Sequence, residues 1–251
     1  MHKFFRSFII VLSFVSVIPI PQKFLPSWTP NSLRYFPLML PVAGGIFSVM
    51  WLMSWHVLSL IPAMSTILRG FMMTLLTLTL TGGLHLDGLM DTCDAVFSHR
   101  DRDTRLRILS DTHAGSFAVM GCVIILMAKT LLFAELLTRS ADSAAIALIP
   151  AFSRLGMGLL ITNLPFAKSG GLAVMLGSSR NRLDNFAFII MFIILTITGR
   201  LAVTSAFTLC MLIHVVICVK LFGGITGDLL GAFVETSEVI MLLGMVIMSC
   251  T

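Results

Sequence analysis

The chain is a series of long apolar runs separated by short polar, proline-rich or glycine-rich connections. Apolar runs occupy residues 4–20, 37–61, 70–86, 115–137, 144–164, 186–198, 201–222 and 229–250. Several have no polar face, as in FAFIIMFIILTIT at 186–198, which is typical of helices surrounded by lipid. The pattern predicts an all-α, polytopic integral membrane bundle with seven or eight helical segments. The first run and the pair flanking Gly199–Arg200 are expected to be tilted, re-entrant or interfacial, because 4–20 and 186–198 are shorter than the ~20 residues of a straight span.

Composition supports a membrane protein. Hydrophobic residues make up 57% of the chain and charged residues 12%, whereas a soluble domain carries roughly 25% charged residues. The N-terminal HKFFRSFIIVLSFVSVIPIP resembles a signal peptide but has no small-x-small cleavage site, so we expect it to be retained. The five cysteines are scattered, which indicates buried thiols rather than a disulfide framework or a zinc site. No linker divides the chain, so residues 1–251 are predicted to form one membrane-embedded domain.

The distribution of charge predicts which side of the membrane carries the chemistry. If every run from 115 onward crosses the bilayer, the loops at 87–113, 165–185 and 223–228 emerge on one side. The first two loops hold Arg100, Arg102, Arg105, Arg107, Lys168, Arg180 and Arg182, and the opposite side holds chiefly Arg69, Arg139 and Arg200. The positive-inside rule therefore places the three loops in the cytoplasm. The same bias explains the net charge of +5, so the bilayer is an expected partner and nucleic acid is not.

Half of the twelve acidic residues lie within twenty-five positions, as Asp87, Asp91, Asp94, Asp101, Asp103 and Asp111. On a helix continuing from 70–86, Asp87, Asp91 and Asp94 share one stripe and repel one another near the low-dielectric membrane border. No basic residue between Arg69 and His99 neutralises them, and acids at such a border are functional by default. A hard divalent cation such as Mg²⁺ would offset the repulsion. For Asp101 and Asp103, pairing with the neighbouring arginines on a solvated helix is the simpler interpretation.

A second acidic element follows the turn GGITGD at 223–228. Asp228, Glu235 and Glu238 recur at helical spacing along the last apolar run. The glycines allow a tight turn and close approach to a ligand, and the N–H groups that begin the next helix favour an anion. Glycines that only pack membrane helices are the alternative.

Basic residues add the third part of a phosphoryl-transfer site. Arg105, Arg107 and Lys168 could hold phosphate oxygens opposite a carboxylate-bound metal, although each taken singly is typical of a headgroup anchor. Arg154 lies within an apolar run and could pair with a buried acid or reach a substrate phosphate. His85 could be a general base for an attacking hydroxyl. An ordinary hydrogen-bonded histidine at the interface is the alternative reading of His85.

Four segments carry a resemblance to a known family. GGLHLDGLMDTCDAVFS, DRDTRLRILSDTHAG, FAKSGGL and GGITGDLLGAFVE resemble, in order and spacing, the motifs of the adenosylcobinamide-GDP ribazoletransferase (cobalamin synthase) family. The likeness runs from the N-terminal SFVSVIPIP to the last helix. It implies a multi-pass enzyme of the bacterial inner membrane that requires Mg²⁺. A hydroxyl of α-ribazole, or of its 5′-phosphate, would attack the phosphorus attached to adenosylcobinamide, and GMP would leave.

Together the pattern and the resemblance define a set of candidate site residues. The expected metal ligands are Asp87, Asp91, Asp94, Asp111 and Asp228, and the expected catalytic residues are Asp91, Asp94 and His85. The expected substrate-binding residues are Gly82, Gly83, Arg105, Arg107, His113, Arg154, Lys168, Gly171, Gly224, Thr226 and Glu235.

The chain departs from the family pattern beside the last aspartate of the second motif. Ser110 stands where the family has a basic residue, and His113 where it has an arginine. Two cations near the expected diphosphate are therefore missing or weakened, although His113 can still donate a hydrogen bond.

Two other functions are weighed against the transferase. A CDP-alcohol phosphotransferase would carry D-x2-D-G-x2-A-R, whereas Asp87–Gly88 is followed by Leu-Met-Asp. A cation-coupled transporter tends to place its ion ligands at the membrane midplane on broken helices, and these acids cluster at one border. A homo-oligomer, or assembly with other enzymes of the cobalamin pathway, is a further expectation.

Overall fold

A computed structural model describes residues 2–61, 63–170, 176, 181–198 and 201–248. Within these ranges the chain is helical, with one isolated bridge pair, Phe166 and Ile225, and no β-strand. The helices are α1 (His2–Val15), α2 (Pro30–Leu33), α3 (Phe36–Ser59), α4 (Thr66–Thr81), α5 (Leu84–Phe97), α6 (Arg102–Ile108), α7 (Ser116–Thr138), α8 (Ser143–Ala147), α9 (Ile149–Asn163), α10 (Asp184–Thr198), α11 (Leu201–Ile217) and α12 (Gly227–Met248). A 3₁₀ turn covers Gln22–Phe24, and a π-helical turn, Cys218–Phe222, extends α11. Gly171, Arg180 and Arg200, named above, lie outside the described residues.

In the described part of the chain, five helical segments are long and apolar enough to cross a membrane: Phe36–Ser59, Ser116–Thr138, Ser143–Asn163, Leu201–Phe222 and Gly227–Met248. The bent pair α4 and α5 would make a sixth crossing, and α10 is apolar but shorter. One side of α7 presents apolar side chains outward, with Ile124 65% exposed and Met127 59% exposed, as lipid contact requires. The prediction of an all-α, polytopic membrane bundle is confirmed.

The helix expected to continue from residue 70 through the aspartates is broken at Gly82–Gly83. Both glycines have positive φ, +62° and +78°, and α4 and α5 meet at 93°. Two consecutive left-handed residues end an α-helix, and glycine adopts that conformation without a steric penalty. The break allows α5 to take its own direction, with the aspartates on it.

Glycines also set the closest helix contacts. A Cβ at Gly44 of α3 would lie 2.6 Å from the Pro150 carbonyl of α9, and a Cβ at Gly70 of α4 would lie 2.3 Å from the Thr130 carbonyl of α7. A Cβ at Gly88 of α5 would lie 2.8 Å from the carbonyl oxygen of Asp228. Small residues let the backbones of membrane helices approach closely. The helices then attract one another by dispersion contacts, because the hydrophobic effect does not drive association within lipid.

Three connections meet at one end of the bundle, which we call the loop face: residues 98–115, 164–170 and 218–228. The Ile225 N–H donates to the Pro165 carbonyl (2.8 Å), and the Ala167 N–H donates to the Ile225 carbonyl (2.9 Å). Arg102 joins the first connection to both others, because its Nε donates to the Phe222 carbonyl (2.8 Å) and its Nη2 to the Ala167 carbonyl (3.2 Å). The loops that the sequence places on one side are thus bonded to one another.

Candidate functional site

Helix α5 presents its aspartates on one stripe and buries the opposite side. Asp87 is exposed, and Asp91 is half-buried one turn later, whereas Leu89 and Thr92 are buried. Among the described residues, the carboxylates of Asp87 and Asp91 have no hydrogen-bond or ion-pair partner. These two acids, at i and i+4, are therefore free to take up a ligand.

Asp94, at the end of the same stripe, is already engaged. Its two carboxylate oxygens accept from the N–H of Gly115 (2.6 Å) and of Ala118 (2.9 Å). These groups begin α7 and have no partner inside the helix, so a carboxylate there satisfies them and interacts favourably with the helix dipole. A Cβ at residue 115 would lie 2.7 Å from Asp94 Oδ1, which explains the glycine. The catalytic and metal-binding roles expected of Asp94 stay predictions beside this observed capping contact.

Asp228 faces α5 from the first turn of α12. With Asp87, His85 and Gly231 it lines a cavity of about 100 Å³. Thr226 donates to the Asp228 carboxylate (3.3 Å) and accepts from the Leu229 N–H (3.2 Å), so its hydroxyl caps α12.

The turn before α12 is shaped by glycine. Gly224 has φ +156°, and a Cβ there would lie 2.4 Å from the Pro165 carbonyl. Gly224 therefore permits the contact between two loop-face connections. The substrate contacts expected of Gly224 and Thr226 stay predictions.

The acids of the site are close enough to repel one another. Asp87, Asp228, Asp94 and Asp111 each act by their charge on the Asp91 carboxylate. In the described part of the chain, however, no group of three or more His, Cys, Asp or Glu side chains is arranged to hold a metal ion. Mg²⁺ is commonly bound through one or two carboxylates together with water and substrate phosphates. The partner-free pair Asp87 and Asp91 fits that requirement; a site made of all five aspartates stays a prediction.

Asp111 and His113 form an exposed pair in the connection before α7. Asp111 Oδ1 accepts from the His113 backbone N–H (3.0 Å) and lies 2.7 Å from Nδ1 of the His113 imidazole ring. These bonds to the charged form hold the pKa of the Asp111 carboxyl below its usual value. Asp111 is thus an anion at neutral pH with His113 beside it.

The cations of the loop face differ in their contacts. Lys168 Nζ donates to the Ser110 hydroxyl. Ser110 stands at the position where the family pattern has a basic residue. Arg107 Nη2 donates to Thr104 (2.9 Å), and Arg105 has a buried Nε without a partner among the described residues. Arg102, which connects the loops, was not singled out by the sequence. Arg102 stands among alternating charges, which predict a solvated helix. Its hydrogen bonds go to carbonyls far away in the sequence, so no local sequence pattern indicates them.

A buried ion cluster lies deeper in the bundle, formed by Lys129, Glu235, Glu238 and Arg154. Lys129 Nζ is 2.6 Å from Glu235 Oε2 and 2.8 Å from Glu238 Oε2. Arg154 Nη1 pairs with Glu238 Oε1. Of the two roles considered for Arg154, pairing with a buried acid or contact with a substrate phosphate, the structure shows the first. The carboxylate of Glu235 is paired with a lysine in the interior, and its expected substrate contact stays a prediction. The sequence carried one overlooked signal, since a lysine within an apolar run needs an acidic partner.

His85 connects the cluster to the cavity beside Asp87. Its side chain is 1% exposed, its Nδ1 lies 3.5 Å from Arg154 Nη2, and its Nε2 has no partner among the described residues. An imidazole so enclosed can meet an attacking hydroxyl only through the cavity that it lines. The general-base role of His85 stays a prediction.

Comparison with known proteins gives consistent matches over nearly the whole length. A family model described as cobalamin-5-phosphate synthase matches residues 7–246. A protein of Lachnoclostridium phytofermentans named adenosylcobinamide-GDP ribazoletransferase is 31% identical over 257 residues, covering 98% of this chain and 95% of its own. Proteins of the same name in Geobacillus sp. (strain WCH70) and Clostridium perfringens (strain SM101 / Type A) are 32% and 27% identical, covering 92% and 98% of this chain and 91% and 100% of their own. No solved structure matches.

Proposed function

The chain belongs to the cobalamin-5-phosphate synthase family, and from this premise we propose how its residues carry out the reaction. It joins a cobinamide to ribazole, the transfer for which its relatives are named. In the proposed step a hydroxyl of α-ribazole, or of its 5′-phosphate, attacks the phosphorus attached to adenosylcobinamide. A new O–P bond forms, the bond from that phosphorus to the GMP oxygen breaks, GMP leaves with the electron pair, and the proton of the attacking hydroxyl is released with GMP.

The observation that carries the chemical proposal is the partner-free pair of carboxylates on α5. Asp87 and Asp91 would hold Mg²⁺, since oxygen donors without other partners suit a hard cation. When bound, Mg²⁺ would neutralise charge on the diphosphate of adenosylcobinamide-GDP. Asp228 lines the same cavity as Asp87. It would contribute to the part of the site that binds the attacking α-ribazole.

The residues of the loop face would bind and orient the diphosphate. Arg105, Arg107 and Lys168 are donors suited to phosphate oxygens, and His113 adds an N–H at the position of a missing arginine. Arg102 keeps the three connections together through its bonds to the Phe222 and Ala167 carbonyls. Catalysis of this kind depends mainly on positioning and charge stabilisation, so a fixed loop face serves it directly.

The loop face is proposed to lie in the cytoplasm at the bacterial inner membrane. Among described residues it carries Arg100, Arg102, Arg105, Arg107, Lys168 and Lys220, while the opposite end carries Arg69 and Arg139. This excess supports the orientation through the positive-inside rule. Cysteine labelling from either side of sealed vesicles tests it.

Family membership does not favour the CDP-alcohol phosphotransferase or the transporter. Association with a second copy, or with other enzymes of the cobalamin pathway, stays a prediction that crosslinking in native membranes tests.

The decisive assay is GMP release from adenosylcobinamide-GDP in the presence of α-ribazole. Asp91→Asn should lower the rate about 100-fold or more, the loss expected when roughly 3 kcal/mol of charge stabilisation disappears. Asp103→Asn is the matched control, because Asp103 is an exposed carboxylate of the same face outside the α5 stripe, and its 3.6 Å contact with Arg102 is an exposed pair that contributes little. A folded Asp91→Asn protein with the rate of the control would contradict the proposed role.

A further inference from the structure

Helix α1 has both of its ends at the same end of the bundle. Near its start, the Phe4 ring stacks on the Tyr35 ring, 3.8 Å between centroids, and Tyr35 directly precedes α3. Just past its end, the Val17 N–H donates to the Leu80 carbonyl (3.0 Å), in the last turn of α4. One end of α1 is therefore held at the beginning of α3 and the other at the end of α4.

The beginning of α3 and the end of α4 both lie at the loop-face end of the bundle. A Cβ at Gly158 would lie 2.6 Å from the Pro37 carbonyl, and Gly158 is near the end of α9, where the connection 164–170 starts. Helix α4 ends at Thr81, and α5 turns away at 93° and leads into the connection 98–115. Helix α1 thus lies across the loop-face end of the bundle.

The contacts and the length of α1 both exclude a crossing of the membrane. Its fourteen residues extend about 21 Å, against roughly 30 Å of hydrocarbon. Phe4 packs on Tyr35 and Phe14 packs on Phe36, 5.7 Å between centroids, although about 15 Å separates Phe4 from Phe14 along α1. A helix running beside α3 would meet residues equally far apart on α3. Helix α1 therefore crosses over the first turn of α3.

The side chains of α1 form three stripes at helical spacing. The stripe buried against the bundle consists of Ser7, Ile10, Val11 and Val15. The stripe of partly or fully exposed apolar residues consists of Phe5, Phe8, Ile9 and Leu12. The polar stripe consists of Lys3, Arg6 and Ser13. One side of the helix therefore contacts protein, a second is suited to lipid, and a third is suited to headgroups and water.

The two basic residues of the polar stripe are free to meet lipid headgroups. Lys3 and Arg6 are exposed, and neither has an ion-pair partner among the described residues. Phe5, on the neighbouring apolar stripe, is 62% exposed. Basic residues beside an exposed apolar stripe are typical of helices that lie in the interface, because the cations reach phosphates while the rings enter the acyl region.

Aromatic residues that favour the membrane interface pack against both ends of α1. Tyr35 stacks on Phe4, and the Trp28 ring packs against Phe14, 6.0 Å between centroids. Both Tyr35 and Trp28 are half-buried. Tyrosine and tryptophan are enriched where hydrocarbon meets headgroups. They indicate the same depth for α1 as its basic residues do.

We propose that α1 is an interfacial helix that binds the surface of the loop-face leaflet. Its axis is parallel to the membrane plane, its apolar stripe lies among acyl chains beside the bundle, and Lys3 and Arg6 lie at the level of the phospholipid phosphates. Phe14 of the same helix lines the cavity that contains Asp87 and Asp228. A membrane-bound helix thus forms one wall of the candidate site. The binding of α1 to lipid does not depend on the reaction proposed above.

The test is the depth of spin labels on the full chain in proteoliposomes of phosphatidylglycerol and phosphatidylcholine. Phe5→Cys and Leu12→Cys place labels seven residues apart on the apolar stripe, or about 10 Å along the helix axis. Accessibility to oxygen and to a water-soluble nickel complex gives the depth of each label, and the wild-type chain carried through the same labelling supplies the background. An interfacial α1 gives the two labels the same depth.

The matched control is a pair of labels with the same spacing on a helix of membrane-spanning length. Ile124→Cys and Leu131→Cys are exposed positions of α7, also seven residues apart, and should differ in depth by about 10 Å. A difference between the Phe5 and Leu12 labels as large as that on α7 would overturn the proposal. Shielding of the Phe5 label from oxygen and nickel alike would show that protein covers the stripe, and would also overturn it.

The position of the polar stripe is tested with nickel bound to a chelating lipid headgroup. A label on Arg6→Cys should be relaxed by this lipid, because the nickel is then held at the level of the phosphates. The label should also be reached by the water-soluble nickel complex more readily than the Phe5 label. An Arg6 label that responds to the soluble complex but not to the nickel-bearing lipid would overturn the headgroup contact.

Discussion

Removing Lys129 should destabilise the bundle more than almost any other single change. Its side chain is 1% exposed, and its ammonium lies 2.6 Å and 2.8 Å from two carboxylate oxygens. With Arg154 it balances Glu235 and Glu238, giving two positive and two negative charges in the cluster. Lys129→Met leaves the volume nearly unchanged and the cluster with an excess negative charge.

The expected magnitude follows from the pair geometry. At an effective dielectric constant of about 20, each of the two contacts supplies roughly 6 kcal/mol of gross attraction, most of which offsets the cost of removing the ions from water. Removing one partner of a buried pair leaves the other charge uncompensated and costs about 3–5 kcal/mol. We expect Lys129→Met to lower the free energy of unfolding by that amount.

The assay is reversible unfolding by SDS in mixed micelles, followed by tryptophan fluorescence. Lys129→Met/Glu235→Gln is the informative companion, because it restores electrical balance while Glu238 keeps Arg154 as its partner. The double variant should be more stable than Lys129→Met, with a coupling of roughly 0.5–3 kcal/mol. A Lys129→Met protein as stable as the wild type, or a double variant less stable than the single one, would refute the reasoning.

Three further changes test the contacts around the site. Gly88→Ala would place a Cβ 2.8 Å from the Asp228 carbonyl, so overpacking should cost about 1–3 kcal/mol of unfolding free energy and reduce GMP release; an unchanged protein would contradict the close packing. Asp94→Ala removes the acceptor of two α7 N–H groups and should cost about 0.5–2 kcal/mol in the same unfolding assay, whereas no loss would argue against capping. Arg102→Gln removes donors to two loop carbonyls, so trypsin should cleave faster after Lys168, and an unaltered cleavage rate would argue against the connection.

The apolar runs predict the helices well because lipid leaves few alternatives to a helix with satisfied backbone groups. The run at 115–137 and the observed α7, Ser116–Thr138, differ by one residue at each end. The shared loop face is predicted as well, since the direction of each crossing follows from the number of crossings before it.

The details of the candidate site depend on tertiary contacts that local patterns do not carry. The stripe of Asp87, Asp91 and Asp94 predicts three equivalent ligands, but only the folded chain brings Gly115 and Ala118 to Asp94. The break at Gly82–Gly83 was visible as a glycine pair, yet such a pair is also compatible with a packed helix. The contacts of Lys129 with acidic residues were predictable from the sequence, because an isolated cation in an apolar run already indicates acidic partners.

The most direct test of the central claim is the dependence of GMP release on Mg²⁺ concentration in the Asp87→Asn protein. If Asp87 and Asp91 hold the metal together with the substrate diphosphate, the Mg²⁺ concentration for half-maximal rate should rise about tenfold or more, since losing one charged ligand removes at least roughly 1.4 kcal/mol. Asp103→Asn should titrate like the wild type. A Mg²⁺ curve for Asp87→Asn that matches the wild type, or a full rate with the metal chelated by EDTA, would contradict the account.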